Sequence, residues 1–130
     1  MSLDVPQSLL DAAERGEVDD AAFVECVRHS FPYAWQLVSG LAVQLQVDGG
    51  EFAANYTPPP DEQARGQLLR ALASDSIRGA LERHLGVRLA FQNCHKVAVF
   101  PPVAATGAAY RQFVSPRAQI LNQTPELRDC

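Results

Sequence analysis

The chain has 130 residues, 47% apolar and 20% charged, an ordinary balance for a packed globular protein and enough length to bury a core without disulfide staples. It opens with no basic leader and cleavage site, and its longest apolar stretch, Tyr33 to Val47, is broken by Gln36, Gln44 and Gln46. From these features neither a signal peptide nor a bilayer span is expected, and the expected compartment is cytoplasmic. The net charge of −4 is unevenly split: residues 1–62 carry 11 acids against Arg15 and Arg28, whereas residues 63–130 carry four acids against nine bases. Such a split marks either a basic binding face beside an acidic half or two halves that attract each other across the fold.

Pro6 suits the first turn of a helix whose apolar face is Leu9, Leu10 and Ala13, and Gly16 ends it. The run from Asp11 to Ala22 has the outline of a calcium loop. However, Ala13, Arg15 and Ala22 stand where oxygen ligands belong, so calcium is rejected. Asp19 reads instead as the N-cap of a second helix running to about His29, with Cys26 on its core face beside Ala22, Phe23 and Val27. Phe31-Pro32 opens a third helix, roughly Tyr33 to Gln46. Its stripe of Ala34, Leu37, Val38, Leu41 and Leu45 makes it the expected centre of the core, and Asp48-Gly49-Gly50 breaks it. Residues 51–60 read as a connector ending in Thr57-Pro58-Pro59-Pro60, an extended run that suits a rigid link or a partner's aromatic groove.

The stretch from Asp61 to Phe100 has the order of a helix-turn-helix with a β wing. Asp61 and Glu62 begin a helix buried through Ala64, Leu68, Leu69 and Leu72, and Ser74, Asp75 and Ser76 form the turn. Ile77, Ala80, Leu81, His84 and Leu85 share one face of the next helix and Arg78, Gly79, Glu82 and Arg83 the other; Gly86 ends it. A three-residue hairpin loop, with Asn93 in a left-handed conformation, gathers Val87, Leu89, Phe91, Val97 and Val99 on one face. It leaves Arg88 and Lys96 on the other, as a basic wing would. After Pro101-Pro102, Thr106 is expected to cap a helix to about Val114. Ser115-Pro116 starts another to about Gln123, and Thr124-Pro125 repeats the signature for a last turn.

The expected fold is therefore α+β: one mostly helical domain over residues 1–130, with one antiparallel β-hairpin after a helix-turn-helix-like pair. Its parts are an acidic helical half (1–50), the connector (51–60), the helix pair with hairpin (61–100) and C-terminal helices (101–130).

Several chemistries can be weighed on this frame. For nucleic acid, Arg78 and Arg83 on the second helix would reach bases or phosphates while Arg88 and Lys96 on the hairpin grip the backbone. Against this stand the sequence pI of about 5.2 and a helix-to-helix turn without glycine. Cys94, His95, Cys130, His84 and His29 are metal-ligand types, but no C-x-x-C or H-E-x-x-H spacing unites them and no metal is expected. Cys94 at the hairpin tip, beside His95 and Lys96, and the terminal Cys130 suggest a thiol-sensitive pair if the tail returns to the tip. The chain has no G-x-S-x-G, phosphate loop or dinucleotide fingerprint, so an enzyme is disfavoured and no cofactor is expected.

The segments VDGGEFA (47–53), TPPPDEQARGQLLRALASDSIRGAL (57–81), RLAFQNCHKVAVF (88–100) and LNQTPELRDC (121–130) resemble a family of short, conserved, uncharacterised cytosolic proteins of actinomycetes. The resemblance spans nearly the whole chain and implies a compartment and a type of organism, but no activity and no functional residues. The reading is thus a small non-enzymatic regulatory or binding protein that contacts nucleic acid through residues 61–100. The rival is a protein–protein adaptor, thiol-sensitive through Cys94 and Cys130. Nucleic acid, a protein partner or a second copy are the expected partners, and a membrane is not.

Overall fold

Proline and glycine set the ends of the helical layer. In the computed structural model, which describes residues 2–103 and 107–123, helix α1 (Gln7–Glu14) starts after Pro6, and Gly16 (φ +71°) follows its end. Helix α2 (Asp20–Ser30) has Asp19 at its N-cap position. Helix α3 (Pro32–Asp48) carries Pro32 at its first position and stops at Gly49, φ +66°. Ala34, Val38, Leu41 and Leu45 of α3 are buried, and Leu37 is partly so, which makes this helix the spine that the periodicity predicts.

No side chain of its own caps α3. The Oε1 of Gln67, from the following helical pair, accepts hydrogen bonds from the Tyr33 and Ala34 amides at 2.8 and 3.2 Å. This buried glutamine supplies a cap across the fold, because Phe31 and Pro32 offer no side-chain acceptor.

The pair itself is α4 (Glu62–Leu72) and α5 (Asp75–Leu85). Asp61 caps α4 by accepting from the Ala64 amide at 2.8 Å, and Ser74 caps α5 by accepting from the Ile77 amide at 3.4 Å. The turn between them is therefore shorter than Ser74-Asp75-Ser76, since Asp75 already belongs to α5. Gly86, φ +66°, ends α5 and releases the chain into the sheet.

Strands β2 (Arg88–Gln92) and β3 (Lys96–Phe100) form the expected hairpin, with Leu89 opposite Val99, Phe91 opposite Val97 and Gln92 opposite Lys96. The loop is the three residues 93–95. Cys94 (φ +53°) is left-handed as well as Asn93 (φ +52°), which no residue preference marks. A third strand, β1 (Ala53–Ala54), pairs antiparallel with β3, so the order is β1-β3-β2. The residues 51–60 read as a connector thus contain a strand. Two alanines are too short a run to carry a period-two signal.

Alternation along the strands gives the sheet two buried faces. The inner face puts Leu89, Val97 and Val99 against a core that includes Phe31, Val38, Leu68 and Leu81. The outer face carries Ala54, Ala90, Ala98 and Phe100, packed against Ala109, Tyr110 and Phe113 of helix α6 (Ala108–Phe113). Helix α7 (Pro116–Leu121) follows, with Ser115 accepting from the Ala118 amide at 3.1 Å. The outer face that carries Arg88 and Lys96 is thus largely apolar as well: Ala90, Ala98 and Phe100 lie between the two cations, and α6 packs against this group. Thr106 and the turn at Thr124-Pro125 fall outside the described residues. Among the described residues, no helix is long and apolar enough to cross a membrane.

Candidate nucleic-acid interface

The four cations singled out by the sequence are divided by the fold. Arg83 reaches back to the acidic half, where its Nε and Nη2 donate to the two carboxylate oxygens of Asp20 on α2 at 2.7 and 3.1 Å. The pairing holds the Asp20 carboxyl below its usual range and the Arg83 guanidinium above its own. Arg78 folds onto its own helix end, donating to Asp75 at 2.6 Å and to the Leu72 carbonyl oxygen at 2.8 Å. Both guanidiniums thus have partners, and Arg83 spans the two halves of the charge split.

Arg88 leaves the start of β2 toward α6. Its guanidinium sits 3.7 Å from Glu82 and 5.5 Å over the Tyr110 ring, and it donates to the Tyr110 hydroxyl at 3.4 Å. The Tyr110 hydroxyl first, and then Glu82, hold its pKa above the ordinary arginine value. Glu82 also accepts from the Leu89 amide at 2.9 Å, so this carboxylate secures both the cation and the strand.

Lys96 differs from the other three. Its Nζ donates to the Asn55 carbonyl oxygen at 2.7 Å and lies 4.9 Å over the Tyr56 ring, and among the described residues it makes no ion pair with a carboxylate. Burial lowers its pKa. Asn55 positions it. The Asn55 side chain accepts from the Val97 amide at 2.8 Å and donates to the His95 carbonyl oxygen at 2.8 Å, which fixes the chain just after β1 against β3.

Between Lys96 and α6 opens a cleft of about 670 Å³, whose aromatic walls are Phe52 and Tyr56 on the β1 side and Tyr110 and Phe113 on the helix side. Phe100 organises the rings from below. Phe52 stacks on it at 5.2 Å between centroids and an interplanar angle of 29°, and Tyr110 and Phe113 meet it edge-on at 5.2 and 5.9 Å. Glu51 stands on the rim, and Gln92, Gln112 and Asn122 add amides. Gln92 is itself buried and bonded, donating to the Phe113 carbonyl oxygen and accepting from Asn122. The sequence marks Lys96 but not this aromatic group, because its members come from segments up to 61 residues apart, Phe52 to Phe113, with no shared period.

The hairpin tip is also docked: the Asn93 Oδ1 accepts from Gln119 on α7 and from Gln123. Cys94 is buried at the centre of this loop, and Cys130 is outside the described residues. His29 lies 3.7 Å from Asp4, and His84 is 5.8 Å from the Trp35 ring. Among the described residues, no three histidines, cysteines or acids converge as metal ligands.

No curated protein and no solved structure matches the chain. One family model, KH_NucS_shadow, described as NucS shadow ORF, matches residues 1–130. It thus covers the whole of the chain over which the sequence motifs suggested a small family, and it specifies no organism. By that match over its full length, the chain belongs to the NucS shadow ORF family.

Proposed function

We propose that this protein is a small non-enzymatic regulatory or binding protein that contacts nucleic acid through the hairpin of its 61–100 unit, with Lys96 as the leading cation and Arg88 as the second. The observation that carries the reading is the Lys96 ammonium. It is held in place by a carbonyl oxygen and an aromatic ring, and among the described residues it makes no ion pair with a carboxylate. Such a cation keeps its attraction for a phosphate, whereas Arg78 and Arg83 contribute only by releasing Asp75 and Asp20. The acidic residues concentrated in 1–62 repel a polyanion and favour approach from the hairpin side.

The family name supports a nucleic-acid context, since NucS is a nucleic-acid-binding nuclease. The same name carries KH, a module that clamps nucleotide backbone with a G-x-x-G loop. No G-x-x-G occurs anywhere in this chain, and the α4–α5 turn, Ala73-Ser74, leads directly into Asp75 at the start of α5, an acid where a backbone clamp needs close, uncharged approach. Contact is accordingly assigned to side chains of the hairpin rather than to a glycine loop.

The test is binding of labelled single-stranded and duplex DNA and RNA at low and moderate salt. Wild type should bind with a steep salt dependence. Lys96→Ala should weaken all sequences alike and reduce the log–log salt slope by about 1. Arg78→Ala/Arg83→Ala should change little. If the double variant loses binding and Lys96→Ala does not, the contact belongs to α5. If no oligonucleotide binds even at low salt, the nucleic-acid reading fails in favour of a protein–protein adaptor, and dependence on Cys94 and Cys130 becomes the next comparison, under reducing and oxidising conditions.

A further inference from the structure

We propose that the cleft between Phe52, Tyr56, Tyr110 and Phe113 is a stacking site for an unpaired nucleobase, an inference that rests on the nucleic-acid reading above and names what part of the polymer the site takes. Its volume of about 670 Å³ lies within the range of roughly 300–1,000 Å³ typical of small-ligand sites. The chemistry of the walls narrows the occupant to something flat. Tyr56 is 88% exposed and Phe52 42%, so both rings offer surface to a ligand. Tyr56 is steadied on one side by the Lys96 ammonium and Phe52 by the Phe100 ring. A planar base gains from such rings whatever its identity, because every base has a π-face.

Charge sets the orientation. Lys96 lies at the Tyr56 end of the cleft and attracts the phosphate that accompanies a base, while Glu51 on the rim repels one. The backbone of the strand therefore runs past Tyr56 and Lys96, and the base points inward toward α6. There Gln112 is among the lining residues, and a glutamine amide can both donate to and accept from the edge of a base. A paired base in a duplex has no free face to offer, so the site selects single strands, loops or flipped nucleotides. An acidic peptide would satisfy Lys96 but leave the ring surfaces without a flat partner.

The experiment compares a short labelled oligothymidylate with an abasic oligomer of the same length and charge, using the full chain. Wild type should prefer the base-bearing strand by roughly five- to 150-fold, the range that one stacked base supplies. Tyr56→Ala, at a position exposed enough to leave the fold intact, should remove most of that preference. Tyr56→Phe should restore it, and Lys96→Ala should weaken both oligomers together. Equal affinity for the two strands would overturn the stacking site while leaving phosphate contact in place, and binding of neither would overturn both readings. A Tyr56→Ala/Phe52→Ala protein that keeps the full preference would place the base elsewhere and overturn this assignment.

Discussion

The two faces of one small sheet have been put to different uses. Inward, Leu89, Val97 and Val99 are almost wholly removed from water and merge with side chains from α2, α3, α4 and α5. Outward, the same strands present Ala90 and Ala98, joined by Ala54 from β1, and Phe100 is the one large residue of that buried group. Large aliphatic side chains on one face make a core that excludes everything else. Alanines on the other make a shallow floor on which aromatic rings stand and between which a cleft remains. Neither α6 nor α7 buries a residue completely, so the outer layer is held by partial contacts while the inner one is packed. Stability is thus concentrated on one side of the sheet and accessible surface chemistry on the other.

The largest expected effects compare two phenylalanines, both fully buried. Phe31→Ala, on the inner side, should destabilise the protein by about 3–5 kcal/mol, the usual cost of a Phe-to-Ala cavity in a core that relaxes little. Phe100→Ala should cost less, because α6 can settle into the vacated space. Urea unfolding of the two variants measures the difference, and equal losses would break the comparison by making the outer cluster as integral as the inner.

A second pair concerns buried amides. Gln67→Leu leaves the Tyr33 and Ala34 amides without their acceptor, and Asn55→Leu does the same to the Val97 amide. Each should cost about 1–3 kcal/mol, the penalty for an orphaned buried polar group. The inner loss should appear in the denaturation midpoint. The outer one should appear also as faster exchange of the Val97 amide, since it loosens the segment after β1.

The smallest effect is electrostatic. Asp20 and Arg83 are exposed, so Arg83→Ala should leave the melting temperature nearly unchanged. The sign of what remains is fixed: a carboxyl whose folded pKa is lowered adds stability above its unfolded value, and loses it as pH falls through the folded one. Melting temperatures of wild type and Asp20→Asn should therefore differ slightly near neutrality and converge in strong acid.

Much of the inner side was legible in the sequence and little of the outer. The stripe from Ala34 to Leu45, the helix start at Asp61, the caps at Ser74 and Ser115, and the three-residue hairpin loop all rest on short-range rules, and the structure has them, whereas the Asp19 side chain makes no capping bond. The cap that Gln67 gives α3 joins residues more than 30 positions apart, and β1 is two alanines; neither leaves a local pattern. The two-residue alternation also puts Arg88 and Lys96 on the face opposite Leu89 and Val99, in keeping with the strand register. How far that face is covered is not legible, because the sequence does not say where α6 packs. The aromatic cleft is hidden for the same reason: Phe52, Tyr56, Tyr110 and Phe113 each look like an isolated surface or core residue until the sheet brings them together.

Two strand amides, that of Leu89 on the free edge of β2 and that of Val97 on β3 beyond the end of β1, meet side chains already described. Along β2, Glu82 occupies the Leu89 amide; beyond the two residues of β1, the Asn55 side chain takes the place of a further backbone rung, and three prolines follow at 58–60. A strand from another molecule therefore finds these two amides already taken. Each of these bonds removes a rung from edge-to-edge pairing, which favours a partner that recognises side chains and ring faces over one that extends the sheet.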